Sequence, residues 1–409
     1  MKTNILKHIN PVTIIALITA LTVVNQAITK HTFNLGILYY GVLIFSLFVT
    51  FFQSTIKRLN IGMTIIYAAC VLSILLNDID SVYRPWERFI LFVFVTIVAS
   101  PFIESDFYNK FRVTLFKYIQ NLWIIIVILS IPALLLGWRG STGFEGFTSH
   151  SMIMSSTSAM VIVTLLYKLY ANKLNKIIAI PLLIGAFLCM ILSGSRIAVA
   201  ACLGGSIFFL FRIYRKRMDI FIRIVASIIV AMVISFPLWN SYLERIEQKN
   251  SSINVQTGEV DILSSRALIW DQRIREFKEN PIIGIGFGYA PYITGYNART
   301  GKATFLKTET GVIEPGSGWL AIMSMTGLIG LFGFIILWGG AIKRCIACEK
   351  KDKLWGAYLY AMLIFVSIQM IAEGGIYAAG GVDCFRVWIL LGAIYGSHTI
   401  LQKYNTRNI

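Results

Sequence analysis

Long apolar runs alternate with short polar segments along almost the whole chain. Twelve runs can be cut from the pattern: 11–29, 33–53, 61–76, 89–103, 119–137, 151–167, 177–193, 197–211, 220–240, 318–342, 354–372 and 387–402. About 20 apolar residues in a helix cross the hydrocarbon core, and a helix satisfies its own backbone there. The pattern therefore predicts an all-α polytopic membrane protein with about twelve transmembrane helices. The connections between runs are unequal. Residues 241–317 form one long segment between a first bundle at 1–240 and C-terminal spans at 318–409.

The long segment has a pattern of its own. Leu263, Ala267, Trp270, Ile274 and Phe277 recur at spacings of four and three, which predicts an amphipathic helix with this stripe against the bundle or membrane. Ser264 and Ser265 can cap its start, and Asn280-Pro281 ends it. Arg266 and Arg273 lie seven apart, on one side of that helix. For Arg273, a solvated arginine and a functional one fit the pattern equally well. Gly284, Gly286 and Gly288 follow without a strand–helix unit around them, so they predict a close turn rather than a dinucleotide loop. The polar stretch 291–310 reads as a surface loop or lid.

Composition agrees with the spans. The chain has 409 residues, 56% of them hydrophobic and only 14% charged, and its mean hydropathy is +0.71. A soluble globule of this length cannot hide so much apolar surface. The first run is too long for a signal-peptide core and lacks a small-residue cleavage site, so it is expected to remain as a span. With the N-terminus inside, the inner segments carry 22 of the 37 basic residues against five acids, which accounts for the whole net charge of +17. The outer side is balanced. Positive charge here is a topology signal, with both termini cytoplasmic, and not a nucleic-acid footprint.

Cysteine and histidine add little. Cys70, Cys189 and Cys202 fall in spans, where they pack as small apolar residues. Cys345 and Cys348 have redox or zinc spacing but no second pair or nearby histidine, and Cys384 has no obvious partner. No metal and no cofactor are expected. The middles of the spans hold no Asp, Glu, Lys or Arg, unlike ion-coupled transporters. Charges gather instead at outer span ends: Arg84, Glu87 and Arg88; Arg139, Glu145 and His150; Arg196; and Glu373, Asp383 and Arg386. Arg196 is the most pointed of these. It follows the turn Ser193-Gly194-Ser195 between two spans, where a guanidinium fork suits a lipid-linked phosphate at the bilayer surface.

The order of these motifs resembles the bacterial O-antigen ligase and polymerase family, the Wzy-like polymerases and lipopolysaccharide ligases. Ile191-Leu192-Ser193-Gly194-Ser195-Arg196 is similar to its S-G-S-R turn. Ser265-Arg266 through Trp270 to Asn280-Pro281 and Gly284-Ile285-Gly286 resembles its arginine–tryptophan helix and N-P-x-x-G-x-G turn. Trp319-Leu320 with Thr326-Gly327-Leu328-Ile329-Gly330 resembles the span that follows, and Arg139 through Gly143-Phe144 to His150-Ser151 an outer segment before the sixth span. The resemblance implies a GT-C-like, metal-independent glycosyltransferase in the bacterial cytoplasmic (inner) membrane, with its site facing outward. The implied donor is a glycan linked through pyrophosphate to undecaprenol. The implied partners are that lipid-linked oligosaccharide, the bilayer and a chain-length regulator protein.

On this resemblance Arg196 and Arg266 are expected to hold the pyrophosphate. Arg139, Arg273, Trp270, Glu373, Arg84 and Arg88 are expected around the substrate. Ligases of the family carry a histidine just before the span after the long loop; here that position is Gly316, followed by Ser317. Its absence favours a repeat-unit polymerase over a ligase. The nearest titratable residue is Glu314, which fits a catalytic base and equally a favourable charge at a helix N-terminus opened by Pro315. His150 and Glu373 are the other base candidates. Two further readings stay open: a ligase moving finished glycan to lipid A-core or another acceptor, and a flippase whose arginines guide the headgroup. Sugars, linkage and pathway (lipopolysaccharide O-antigen, capsule or exopolysaccharide) are not written in the sequence.

Overall fold

The computed structural model describes residues 11–53, 58–136, 143–234, 264–297, 302–307, 313 and 316–406. Arg139 and Glu314, two of the expected site residues, lie outside them. Most of the described chain is helical: α1 Pro11–Asn25, α2 Ile37–Phe52, α3 Ile61–Leu75, α4 Pro85–Ala99, α5 Asp106–Leu135, α6 Ser151–Tyr170, α7 Lys176–Ser193, α8 Arg196–Tyr214, α9 Met218–Ile234, α10 Ser264–Glu279, α11 Gly318–Lys351, α12 Lys353–Gln369 and α13 Val382–Thr406. Each of the twelve apolar runs overlaps a helix among the described residues. Six of them, α5 to α8, α11 and α13, are long and apolar enough to cross a membrane. The protein is a helical membrane protein.

Several boundaries move, and each shift has a local cause. Helix α4 starts at Pro85 instead of 89, because Pro fits the first helical position and Arg84 precedes it in a left-handed conformation. Helix α5 starts at Asp106, where Ser105 Oγ accepts the Tyr108 N–H, and runs for 30 residues. Two arginines that the sequence pattern left in loops therefore lie inside helices. Arg112 is fully buried and donates to the carbonyls of Ile97, Val98 and Ile103, closing the C-terminal end of α4. Arg386 is the other, one turn into α13.

Segments expected on the same side of the membrane meet one another. At one end β1 (Arg58–Leu59) pairs antiparallel with β2 (Ile103–Glu104), and Arg58, Arg344 and Glu104 form an ion cluster. Arg212 pairs with Glu349 there, and Lys403 with Asp106. At the other end Lys30 meets Glu145 and Arg266 meets Glu373. Each set of contacts joins segments that the sequence pattern places on one side of the membrane.

The long segment is pinned to the bundle through a break in α11. Gly327 has φ 61° and ψ −159°, a conformation essentially reserved for glycine, so the helix ladder is interrupted there. The turn after α10 supplies the missing partners. Pro281 O accepts the Leu328 N–H at 2.8 Å, and Ile282 O accepts that of Ile329 at 3.3 Å. In return Ile285 N–H donates to Ser324 O at 2.8 Å. A Cβ on Gly284 would lie 2.5 Å from the α11 backbone, and one on Gly327 would lie 2.4 Å from Ile282. Phe287 then enters an aromatic cluster with Phe92 and Tyr377, centroids 5.5 and 5.0 Å away. The expected close turn is a docking plug.

Within 291–310, expected as a surface loop or lid, the described residues include two strands. Strand β3 (Tyr292–Asn297) pairs antiparallel with β4 (Lys302–Lys307), opposing Tyr292 to Lys307 and Asn297 to Lys302. Tyr, Ile, Thr and Phe in these strands favour the extended backbone.

Candidate functional site

The Ser193-Gly194-Ser195-Arg196 turn is a helix stop followed at once by a helix start. Gly194 closes α7 with φ 80°, and Ser195 Oγ caps α8 by accepting the Ala198 N–H. Ser193 Oγ donates to Phe144 O at 2.7 Å, which ties the turn to the segment before α6. Arg196 is consequently the first residue of α8, exposed at the helix N-terminus. Lower down, Gly205 of α8 packs against Phe365 of α12. Arg196 and the segment after α12 therefore occupy the same end of neighbouring helices.

Helix α10 lies across that end, but not with the expected face inward. Ile269, Gln272, Arg273 and Glu276 are buried, whereas Ile274 is 37% exposed. The reason is chemical: α10 rests on the outer part of α11, where polar side chains find partners. Arg273 Nη1 lies 2.9 Å from Glu276 Oε2, and Gln272 Nε2 donates to Glu276 Oε1 at 3.3 Å. Burial pushes the Glu276 carboxyl up to about 7, despite the guanidinium beside it. Arg273, expected near substrate, is only 1% exposed and has the geometry of an anchor for α10.

Arg266, one turn and more before Arg273, has a different surrounding. Its Nη2 stands 3.9 Å from Glu373 Oε1, with side-chain exposures of 27% and 19%. Glu373 follows α12, and burial lifts its carboxyl to about 7; nearby Asp383 pushes in the same direction and Arg266 opposes both. Trp270 donates its indole N–H to Gly316 O at 3.3 Å, holding the segment that enters α11. That segment is laced to the end of α12: Gly318 N–H and Ser317 Oγ both donate to Met370 O. A Cβ on Gly318 would lie 3.2 Å from Glu373 O. Glu373 thus stands beside Gly316-Ser317, the position at which the resemblance led to an expected histidine.

Behind Glu373 lies Arg386, one of the expected outer span-end charges, to which the sequence pattern assigned no site role. Arg386 is 7% exposed. It donates to Ser156 at 2.7 Å, to Asp383 at 2.9 Å and to Thr157, and its guanidinium lies over the Trp123 ring. With Gln369, Glu373 and Asp383 it lines a cavity of about 30 Å³, room for a water or two. The available signal was the i,i+3 spacing of Asp383 and Arg386, which puts both on one helix face.

The remaining expected residues are more scattered. His150 is the N-cap of α6, and its Nδ1 accepts the Met152 N–H at 3.1 Å. That contact engages Nδ1 in closing the helix N-terminus. Arg84 and Glu87 form an exposed pair at 3.6 Å, of little energetic weight. Arg88 is half-buried in the first turn of α4 and lines a separate cavity of about 300 Å³. The structure brings Arg266, Trp270 and Glu373 into one site, sets Arg196 on the neighbouring helix end, and leaves Arg84 and Arg88 on the far side of residues 374–381.

A family model described as O-antigen ligase matches residues 181–335. Over that stretch, less than half of the chain, the protein is similar to O-antigen ligases. The matched stretch runs from within α7 to the middle of α11. It contains Arg196, Arg266, Trp270, the Pro281–Gly288 plug and the Gly327 break, so the family signature coincides with the wall of the site. Glu373 lies beyond it. No curated protein matches the chain.

Proposed function

We propose that the chain is a polysaccharide polymerase of the outer face of the cytoplasmic membrane, with twelve spans and both termini inside. It joins one undecaprenyl-pyrophosphate-linked glycan to a hydroxyl of another lipid-linked repeat unit. The observation that carries this reading is the half-buried Arg266–Glu373 pair beside Gly316-Ser317. A carboxyl near 7 is poised to accept a proton at ordinary pH, which a fully solvated glutamate is not.

The step balances with these residues. The acceptor oxygen attacks the donor's anomeric carbon as its proton passes to the Glu373 carboxylate. The bond from that carbon to the pyrophosphate oxygen breaks, and the lipid pyrophosphate leaves with the electron pair. Arg266 and Arg196 stabilise the charge that develops on it. Arg266 also moves from pairing with Glu373 to pairing with the leaving group once the carboxylate is neutralised. Trp270 holds the Gly316 segment and thereby the wall facing the acceptor.

A carboxylate base in place of the ligase histidine favours polymerase over ligase. The test is transfer by purified protein from a synthetic undecaprenyl-pyrophosphate oligosaccharide, offered either a second lipid-linked repeat or lipid A-core. Product on the repeat alone supports the polymerase, and product on lipid A-core alone overturns it in favour of a ligase. Movement of lipid across vesicles without any transfer would support a flippase.

A further inference from the structure

A second cavity lies on the far side of the 374–381 segment from Arg266. Its volume is about 300 Å³, at the lower end of small-ligand sites. Its walls are apolar or small: Leu91 of α4, Met325 of α11, and the Gly374 and Ala378–Gly381 backbone. Two polar side chains, Arg88 and Tyr40, complete it. The Tyr377 hydroxyl is engaged with Thr326. Gly288, from the plug, keeps the Arg88 stem clear, since a Cβ there would lie 3.0 Å from Arg88 Cδ.

The position of the cation is informative. Arg88 lines this cavity and also the open surface beside Arg84 and Glu87, so it stands at the mouth. Next to it the apolar faces of α2 and α4 are bare, with Ile37 88%, Leu38 63% and Ile90 51% exposed. A phosphate head with an attached prenyl chain matches that layout: anion at the guanidinium, chain along the bare helix faces.

We propose that this cavity is the acceptor subsite, holding the head of the second lipid-linked glycan against Arg88 while the donor occupies the Arg196–Arg266 side. This rests on the polymerase reading, which needs two lipid-linked substrates at once. Residues 373–381 then form the partition between them, with Glu373 at its end. A hydroxyl reaching round that partition meets the base.

The test uses the full chain in nanodiscs of phosphatidylethanolamine and phosphatidylglycerol, with a synthetic undecaprenyl-pyrophosphate-linked repeat unit. Native mass spectrometry should find two such lipids on the unaltered protein and one on Arg88→Gln or on Ala378→Trp, which fills the mouth from an exposed position. At fixed donor, the KM for a labelled single-repeat acceptor should rise about tenfold to a hundredfold in Arg88→Gln, the loss expected for one charge-assisted hydrogen bond. Two bound lipids and an unchanged acceptor KM in both variants overturn the subsite and leave the polymerase standing. Displacement of the second lipid by phosphatidylglycerol alone also overturns it. Neither binding nor transfer by the unaltered protein defeats the polymerase reading, and the subsite with it.

Discussion

Arg266 Nη2 faces Glu373 Oε1 at 3.9 Å, and the carboxyl nevertheless sits at about 7 because burial outweighs the cation. A base must be ionised to take a proton. Transfer should therefore rise with pH through about 7 and level off above it. Removing Asp383, which pushes the carboxyl up, should move this limb to lower pH in Asp383→Asn. Removing the opposing cation in Arg266→Gln should move it to higher pH. Rates at saturating substrate for the three proteins check both signs; an unaltered protein with a flat profile across neutral pH excludes Glu373 as the base.

Glu373→Gln keeps the shape and removes the basicity, so it should abolish transfer with lipid binding intact. Arg196→Ala and Arg266→Ala should each lose about 3–4 kcal/mol of transition-state stabilisation, a factor of roughly 10² to 10³ in turnover. Lysine should rescue poorly, because a point charge does not reproduce a bidentate fork. A folded Arg196→Ala protein with normal turnover would reduce Arg196 to a positional role.

The plug at the α11 break gives a stability prediction. Gly327→Ala forces a side chain into a glycine-only conformation, costing about 1–3 kcal/mol before any clash. The added Cβ also meets Ile282 backbone at 2.4 Å, so the turn must withdraw and release Leu328 and Ile329 N–H. The thermal midpoint should fall, and protease should cut near 281–288 before the spans. Midpoint and cleavage pattern unchanged from the unaltered protein would mean that the plug is not held this way.

The fold was largely legible because runs of about 20 apolar residues admit one solution in a bilayer. The site was legible only in pieces. Arg196 and Arg266 were visible, since a charged residue in a tight turn or beside a helix cap stands out against so apolar a chain. The orientation of α10 was not: an apolar stripe marks the inward face only when the neighbouring surface is apolar, and here Gln272, Arg273 and Glu276 face α11 instead. The pairing of Arg266 with Glu373 joins residues more than a hundred positions apart, and no local periodicity encodes it. Arg386 was visible as an outer span-end charge, but its partners Ser156 and Thr157 lie some 230 positions away and no local pattern encodes them.

Orientation is checked by labelling. Cysteines placed at Lys302 and at Arg215, with the native cysteines removed, should differ on intact cytoplasmic membrane. An impermeant thiol reagent should reach position 302 only. Labelling at 215 alone reverses the topology and moves the site to the cytoplasm.

Arg273 and Arg266 lie on the same helix, and their substitutions should fail in different ways. Arg273 is 1% exposed and 2.9 Å from Glu276. Arg273→Ala removes the cation beside the buried Glu276 carboxyl, which then takes up a proton, and should cost about 1–3 kcal/mol of stability. Glu276 adds a pH signature. Its folded value of about 7 lies above its ordinary 4.5, so the fold favours the neutral acid. That contribution is fully present below about 4.5 and is lost as pH rises through about 7. Glu276→Gln should remove this dependence. Thermal melts across pH, run beside turnover, separate the two arginines: Arg266→Ala should lose rate with little change in midpoint, and Arg273→Ala should lose midpoint first. If Arg273→Ala melts normally and loses only turnover, Arg273 contacts substrate after all and α10 moves during the reaction.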